Sequence, residues 1–311
     1  MDWLFVIAGL GILVFGGDFL VRGAVALATK LGISALVVSL TVVAFGTSAP
    51  ELLIAIQAAL DGVPELALGN VVGSNTANVL LVLGIPAVLS GLDMKNVHTE
   101  RNFFLMLFAS LIFIVLCFTT PLKAWQGALL LVSLCAILFS AYKEAMGSRA
   151  KLKELESEVD DENISNKKMA IFLLVGLVSL PLGAHLLIEG ATSIAHAFGV
   201  SEAIIGLTLV ALGTSLPELA TTVMAALRKE PAVAIGNVIG SNMFNLLAIP
   251  AIAAFVAPLP VPAEFFRVDL WVMLGASLLM IPFVLLHWNL TRIWGALFVV
   301  GYVFYVMFLL G

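Results

Sequence analysis

Runs of about 20 apolar residues follow one another from one end of the sequence to the other, and they restrict the possible folds more than any other feature. Of the 311 residues, 61% are hydrophobic and 11% are charged, whereas a soluble domain carries about 25% charged residues. Inside a bilayer each spanning run must be helical, because no water is present there to satisfy an open backbone. The sequence therefore predicts an all-α polytopic membrane protein.

The apolar runs define ten predicted transmembrane helices. The first lacks a preceding basic segment and is too long for a signal peptide, so we expect it to remain as a span. The predicted spans are Trp3–Ala28, Ile33–Leu60, Leu66–Ser90, Asn102–Phe118, Leu122–Tyr142, Met169–Phe198, Glu202–Leu227, Ala232–Val256, Phe266–His287 and Arg292–Leu310. The connection 143–168 is rich in Lys and Glu, as in a solvated linker. It separates a first five-helix half, 1–142, from a second, 169–311.

The distribution of basic residues predicts the orientation, because Lys and Arg are enriched on the cytoplasmic side of membrane proteins. With the 143–168 linker in the cytoplasm, twelve Lys and Arg residues fall on that side, and only Lys123 and Arg267 fall outside. Ten spans then place both termini outside the cell. We expect a multi-pass protein of the cell membrane that has no nucleic-acid partner. The oligomeric state is left open, and a monomer is compatible with the sequence.

A long internal repeat relates the two halves. Residues 41–80 align without a gap to residues 208–247, and 22 of 40 positions are identical. The shared blocks read GTSAPE and GTSLPE, followed by GNVVGSNTAN and GNVIGSNMFN. Five spans separate the two copies, and an odd number means that the second copy enters the membrane in the opposite sense. The sequence therefore predicts two inverted-topology repeats, an arrangement that recurs in secondary transporters with a midplane substrate site.

The two repeats place Glu51 and Glu218 in the middle of apolar spans. A charge at the bilayer centre costs at least about 2.5–3.5 kcal/mol, so two equivalent carboxylates favour a shared cation over a protonated pair that serves packing. Pro50 and Pro217 precede them and are expected to break each helix, which frees carbonyls from about residue 44 to 47 and from 211 to 214. A bound cation is one partner for those carbonyls, and Ser or Thr hydroxyls are the alternative.

Polar residues on the following spans add further oxygen atoms. Ser74 and Asn78 are four residues apart and share a helix face, as do Ser241 and Asn245. Hydrogen bonding between helices is the alternative role for these side chains. Together with the carboxylates they form an all-oxygen set, which suits hard cations such as Ca²⁺ and Na⁺ rather than metals that prefer thiolate or imidazole.

At these motifs the chain resembles the cation/calcium antiporter superfamily, in particular its sodium/calcium exchanger branch. The resemblance implies a secondary active antiporter that exchanges Na⁺ for Ca²⁺ by alternating access, with spans one and six sliding against the rest and no cofactor beyond the transported ions. The implied ligands are the Glu51 and Glu218 carboxylates for both ions, the Thr47 and Thr214 carbonyls for Ca²⁺, Ser48, Ser74, Ser215, Ser241 and the Ala44 and Ala211 carbonyls for Na⁺, and Asn78 and Asn245 at the centre. Asn245 stands where some relatives carry Asp, which argues against K⁺ co-transport.

Other functions fit the residues less well. In an H⁺/Ca²⁺ exchanger one Glu would accept a proton in place of Na⁺, and a passive cation channel would use the carboxylates as a filter. An enzyme is not expected, because no HExxH motif or nucleophile–base set lies at membrane depth. Asp18 and Arg22, one turn apart, are predicted to pair. His98, His196 and His287 lie near predicted span ends and are interpreted as interfacial residues rather than ligands.

Overall fold

The computed structural model describes residues 2–155, 165–198 and 211–310, without the side chains of 144–155, 211 and 310. These residues form helices, with two isolated antiparallel bridges, Leu92–Leu290 and Leu122–Leu259, between loops. The helices are α1 (Asp2–Leu31), α2 (Ala35–Thr47), α3 (Ala49–Leu60), α4 (Pro64–Ser90), α5 (Glu100–Cys117), α6 (Ala124–Leu155), α7 (Asn166–Ala197), α8 (Ala211–Thr214), α9 (Leu216–Leu227), α10 (Pro231–Val256), α11 (Asp269–Leu285) and α12 (Arg292–Leu310).

Most predicted spans coincide with a long apolar helix. Within the described ranges, seven helices are long and apolar enough to cross a membrane, and an eighth span results if the bent pair α2–α3 is counted as one. The shorter apolar helices α9 and α11 lie in the predicted seventh and ninth spans. The seventh predicted span starts at Glu202, outside the described residues. The all-helical polytopic class is confirmed, and the count of ten stays a prediction.

The predicted linker is partly helical. Helix α6 continues to Leu155, and α7 begins at Asn166. Residues 143–155 contain no proline and consist mostly of strong helix formers such as Ala, Lys, Glu and Leu, so the membrane helix continues past the end of its apolar run. The boundaries 1–142 and 169–311 therefore cut into helices at both ends of the linker, and residues 156–164 lie outside the described part.

Each repeat contains a helix break at the GTSxPE block. Helices α2 and α3 meet at Ser48 with a bend of 42°, and Pro50 lies in the first turn of α3. Helices α8 and α9 meet at Ser215, where Pro217 occupies the same position. The backbone angles of the two serines agree closely, with φ/ψ of −85°/6° and −84°/4°. The repeated sequence therefore produces the same local backbone twice, as the prolines predict.

Helices α4 and α10, which carry the GxxxGSNxxN blocks, are the most buried of the long helices. In an 18-residue stretch of each, 78% and 89% of the residues are buried, compared with 17% in α12. Large apolar side chains cover the exposed surface of the outer helices, as expected of a surface in contact with lipid. Examples are Phe15, Val132, Val178, Ile293 and Phe304. The polar blocks thus lie inside the bundle, away from lipid.

Helices α1 and α7 pack tightly against each other along lines of glycine. The stripe in α1 is Gly9, Gly16 and Gly23, and the same stripe recurs 167 residues later in α7 as Gly176, Gly183 and Gly190. A Cβ on Gly9 would lie 2.8 Å from the carbonyl oxygen of Gly183, and one on Gly190 would lie 2.6 Å from that of Asp2. The residue numbers of the contacts rise along α1 while they fall along α7, so these equivalent helices are antiparallel, as inverted repeats require.

Helix α1 also covers one face of α9. A Cβ on Gly17 would lie 2.8 Å from the carbonyl oxygen of Ala220, so the two helices meet closely. At the end of this contact Asp18 pairs with Arg22 at 3.0 Å, which confirms the predicted pair, and also with Arg228, the C-cap of α9. The additional partner comes from the other half of the chain, which helix spacing alone does not reveal.

Candidate cation-binding site

The helix breaks bring Glu51 and Glu218 into the interior of the bundle. Each Glu lies in the first turn of the helix that follows its break, α3 or α9, and is fully buried. The first turn of a helix presents backbone N–H groups that favour negative charge. The two glutamates belong to different halves of the chain, and Ser48, three residues before Glu51, is hydrogen-bonded to Glu218. Their placement at the two breaks agrees with the position predicted from the repeats.

Hydroxyl groups from both halves reach the Glu218 carboxylate. The Oγ atom of Ser48 donates a hydrogen bond of 2.9 Å to Oε1 of Glu218, and the Oγ atom of Ser241 donates one of 3.4 Å to the same oxygen. Both serines are buried. The Ser48 bond crosses from the first half to the second, so residues of both repeats meet at the Glu218 carboxylate.

The Glu51 carboxylate is surrounded differently. Neither of its oxygens has a hydrogen-bond partner among the described residues, and the Oγ atom of Ser215, the counterpart of Ser48, also has none. A buried polar atom without a partner costs about 1–3 kcal/mol, more if it is charged. Six buried oxygens of predicted ligands are unpartnered in this sense. They are Oε1 and Oε2 of Glu51, Oε2 of Glu218, Oγ of Ser215 and Oδ1 of Asn78 and Asn245.

The two predicted amide ligands lie in the same interior region, and both are fully buried. The amide nitrogen of Asn78 donates a hydrogen bond of 3.1 Å to Oδ1 of Asn242, which leaves the Oδ1 atom of Asn78 without a partner. Both polar side-chain atoms of Asn245 are unpartnered among the described residues. The amides thus present oxygen atoms that can coordinate a cation.

Two asparagines that the sequence did not single out hold the helix breaks in place. The amide of Asn237 donates to the backbone carbonyl of Glu218 at 3.3 Å and to Oγ1 of Thr222 at 3.1 Å. Its Oδ1 accepts from Oγ1 of Thr47 in the other half at 3.3 Å. The signal for this role was present in the sequence, because an asparagine, Asn70 or Asn237, follows the first glycine of the GxxxGSN block in both copies of the repeat.

Asn70 is the counterpart of Asn237 and makes a similar bond to the glutamate carbonyl of its own half, but a longer contact with the threonine of the other half. Its amide donates to the backbone carbonyl of Glu51 at 3.1 Å. Its Oδ1 lies 3.5 Å from the hydroxyls of Ser74 and Thr214. Thr214 belongs to the second half, so each asparagine joins the glutamate of its own half to a threonine of the other. This arrangement places Thr47, Thr214 and Ser74 beside the two glutamates.

The freed carbonyls agree only partly with the prediction. Pro50 has no N–H group, so it donates no helical hydrogen bond to the carbonyl of Gly46. The carbonyl of Ala44, predicted to be free, accepts a hydrogen bond of 3.0 Å from the N–H of Ser48 and lies 3.3 Å from Oγ1 of Thr47. The reason is that the break falls at Ser48 itself, so the last turn of α2 is complete. A role of Ala44 as an ion ligand would require the Thr47 hydroxyl to turn away from this carbonyl, which has only two lone pairs.

Buried carboxylates lined by hydroxyl and amide oxygens, inside an all-helical bundle with an apolar outer surface, are characteristic of membrane proteins that move cations. Sequence comparison identifies the particular group. The chain belongs to the sodium/calcium exchanger family, because it matches the family described as "Sodium/calcium exchanger protein" over residues 1–143 and 168–311. This family consists of transporters.

Individual relatives match almost the whole chain. The sequence is 36% identical to the putative antiporter CaxA of Alkalimonas amylolytica over 93% of this chain and 92% of that protein. It is 33% identical to the sodium/calcium exchanger MaX1 of Methanosarcina acetivorans over 99% and 97% of the two chains. The solved structure of the sodium-calcium exchanger NCX_Mj soaked with Na⁺ and Sr²⁺ superposes with a TM-score of 0.83, at 30% identity and 99% coverage of each chain.

Proposed function

We propose that this protein is a secondary active antiporter that exchanges Na⁺ for Ca²⁺ at a single interior site containing Glu51 and Glu218. The observation that carries the proposal is the group of six buried, unpartnered oxygens around these two carboxylates. Buried charges are costly unless they are paired or coordinate a metal ion, so this arrangement calls for cations. The kinship with MaX1, named as a sodium/calcium exchanger, supports the same pair of ions.

The chemistry of the oxygens favours Ca²⁺ as one of the ions. Two carboxylates neutralise one divalent cation, and Ca²⁺ accepts six to eight oxygen ligands at about 2.3–2.6 Å in flexible geometry. Carboxylate, amide and hydroxyl oxygens are also suitable for Na⁺. We propose that the two ions compete for these atoms, with Ser48, Ser74, Ser215, Ser241 and the backbone carbonyls of Ala44, Thr47, Ala211 and Thr214 completing their shells.

Exchange requires that the occupied site opens to one side of the membrane at a time. Contributions from both halves support this, because Ser48 of the first half binds Glu218 of the second. A relative movement of the halves then changes the ligand set. If the carboxylates are stable only when a cation is bound, the transition between sides proceeds with cations and not without them. This coupling between occupancy and movement is what distinguishes an antiporter from a pore.

The first experiment is ⁴⁵Ca²⁺ uptake into proteoliposomes that are loaded with Na⁺ and diluted into Na⁺, K⁺ or choline medium at fixed pH. We expect uptake only when the Na⁺ gradient is directed outward. Uptake without Na⁺ inside the vesicles, driven by an imposed pH gradient, would establish H⁺ exchange instead. Uptake that follows the Ca²⁺ gradient without any counterion would establish a channel, and both results contradict the proposal.

The second experiment tests the site. We expect Glu51→Gln and Glu218→Gln each to reduce Na⁺-dependent Ca²⁺ uptake to background, because each removes one of the two charges that balance Ca²⁺. Glu65→Gln is the matched control, since Glu65 is an exposed acid in the first turn of α4, close to Glu51 in the sequence. Near-normal exchange in either interior variant, with the purified protein monodisperse, would exclude that residue from the site.

Proton coupling is the second candidate function. The observation in its favour is the complete burial of both carboxylates, because protons can neutralise them as well as Na⁺ can. In this case the uptake experiment shows dependence on the pH gradient, and Glu51 and Glu218 carry the protons. The predicted orientation, with both termini outside and the 143–168 linker in the cytoplasm, belongs to either function and is tested by labelling of single cysteines at those positions from each side of the membrane.

A further inference from the structure

A second group of metal-ligating side chains lies outside the interior site, where two loops from different halves meet. We infer that His98, Glu100 and His287 form a binding site for a divalent transition cation of the zinc class. The three side chains are at the surface end of the bundle, at the start of α5 and just after α11. Their ligand atoms all lie within 4.8 Å of one another.

The distances fit a metal centre with little adjustment. Nε2 of His287 is 3.1 Å from Oε1 of Glu100, and Nδ1 of His98 is 3.6 Å from the same oxygen. With Zn–ligand bonds of about 2.0–2.1 Å and tetrahedral angles, neighbouring ligand atoms are roughly 3.3–3.4 Å apart. The side chain of His98 is 77% exposed, so its ring can rotate toward the metal at little cost in packing. The two distances to Glu100 thus lie on either side of the value expected in a zinc site.

The ligand types select a different class of ion from that of the interior site. Imidazole nitrogen is a borderline ligand that suits Zn²⁺, Cu²⁺ and Ni²⁺, whereas Ca²⁺ and Na⁺ prefer oxygen. Two imidazoles and one carboxylate leave at least one coordination position for water, as in zinc sites with three protein ligands. A cation bound here is therefore distinct from the transported ions, and the surface location gives it direct access from solution.

The backbone around the three residues is constrained in a way that fixes their positions. His287 has a φ of 52°, in the left-handed region that a residue with a side chain rarely adopts. Leu92 and Leu290 exchange two backbone hydrogen bonds of 3.0 Å, and Oδ1 of Asn289 accepts a hydrogen bond of 3.1 Å from the N–H of Met94. The loop before α5 is thereby held against the loop after α11. Backbone strain of this kind costs about 1–3 kcal/mol and is concentrated at functional sites.

This pairing explains why the sequence alone suggested only interfacial histidines. His98 and His287 are 189 positions apart in the sequence and come together only through the pairing of the two loops. A metal ion that bridges them links the first half of the chain to the second at the membrane surface. We therefore expect the bound cation to raise the thermal stability of the protein, because it binds the folded state and not the separated loops.

The test is titration of the purified, chelator-treated protein in detergent with ZnCl₂ by isothermal calorimetry, in the presence of saturating Ca²⁺ and on the Glu51→Gln/Glu218→Gln background. Both conditions keep Zn²⁺ from being counted at the interior site, so the result does not depend on the proposed exchange function. We expect one equivalent of Zn²⁺ to bind and the melting temperature to rise. Titration with Co²⁺ adds a visible absorption band whose intensity distinguishes four-coordinate binding in the protein from the six-coordinate ion in water.

Single variants identify the ligands. We expect His98→Ala and His287→Ala each to weaken Zn²⁺ binding at least tenfold and to abolish the Co²⁺ band. His185→Ala is the matched control, because His185 forms a surface pair with Glu189 at 3.7 Å, and the described part of the chain adds no third ligand to it. Equal Zn²⁺ binding in all three variants, or no binding by the parent protein, would overturn the inference. The exposed His98 keeps the test decisive even if the His287 variant does not fold.

Discussion

Asn237 offers the sharpest test of how the interior site is built. The variant Asn237→Ala removes two donated hydrogen bonds, to the Glu218 carbonyl and to Thr222, and one accepted from Thr47. A typical hydrogen bond contributes about 0.5–1.5 kcal/mol net, so the three together contribute roughly 2–4 kcal/mol. If about half of this loss falls on ion binding, the apparent affinity for Ca²⁺ decreases roughly tenfold, since 1.4 kcal/mol corresponds to a factor of ten. The remainder lowers the melting temperature.

The variant Asn70→Ala, at the equivalent position of the first repeat, provides the comparison for the loss of Ca²⁺ affinity. Asn70 makes one hydrogen bond of 3.1 Å, to the Glu51 carbonyl, and its contacts with two hydroxyls at 3.5 Å are at the limit of hydrogen bonding. We therefore expect a decrease in apparent Ca²⁺ affinity of about two- to threefold, smaller than for Asn237→Ala. The order of the two effects follows from the distances, not from the sequence, in which the two positions are equivalent.

The assay is Na⁺-dependent ⁴⁵Ca²⁺ uptake over a range of Ca²⁺ concentrations, with thermal unfolding measured on the same preparations. Asn75→Ala is the matched control, because Asn75 is also a buried asparagine of α4, but its amide bonds to Val71 within its own helix at 2.7 Å. We expect that control to lose stability without a change in apparent affinity. The reasoning is refuted if Asn237→Ala and Asn75→Ala have the same apparent affinity.

Two further predictions concern the packing of α1. Gly9→Ala should lower the stability by about 1–3 kcal/mol, measured as a fall in melting temperature, because its Cβ would lie 2.6 Å from the backbone nitrogen of Leu187. The control Gly11→Ala should be neutral, since no atom lies within 4 Å of the new Cβ. An equal effect of the two substitutions would contradict the close contact at Gly9. A double-mutant cycle of Asp18→Asn and Arg228→Gln should give a coupling energy of about 0.5–1 kcal/mol in thermal unfolding, since both side chains are largely but not fully buried. A coupling energy of zero would show that this ion pair does not stabilise the contact between α1 and α9.

The sequence predicted the helical class and the position of Glu51 and Glu218 at two helix breaks, because both depend on local patterns. Apolar runs identify spans, and proline identifies a helix break. A carboxylate within an apolar run indicates a functional position, because placing a charge inside the membrane costs free energy. The extension of α6 beyond its apolar run, at least to Leu155, was not predicted, because charged helix formers continue a helix as readily as they solvate a loop.

Contacts between the halves were beyond the reach of sequence patterns. Arg228 reaches Asp18, and Asn237 reaches Thr47, across separations of about 200 positions. Neither contact follows from periodicity, because periodicity relates residues only within one helix. The repeat did contain a usable signal, since the asparagines at 70 and 237 are identical in both copies, but their direction toward the glutamate carbonyls depends on how α4 and α10 are packed.

The cover that α1 provides for α9 has a consequence for the whole molecule. In α9 the face formed by Ala220, Met224 and Arg228 is half-buried under α1, whereas the equivalent face of α3, formed by the residues at 53, 57 and 61, is exposed. The two equivalent helices are therefore packed unequally, because α1 covers this face in the second half and the same face stays exposed in the first. If the protein alternates as we propose, a second arrangement with α7 packed on α3 would bury the exposed face of α3 and uncover that of α9. The unequal burial of two equivalent helices would then be exchanged between the halves.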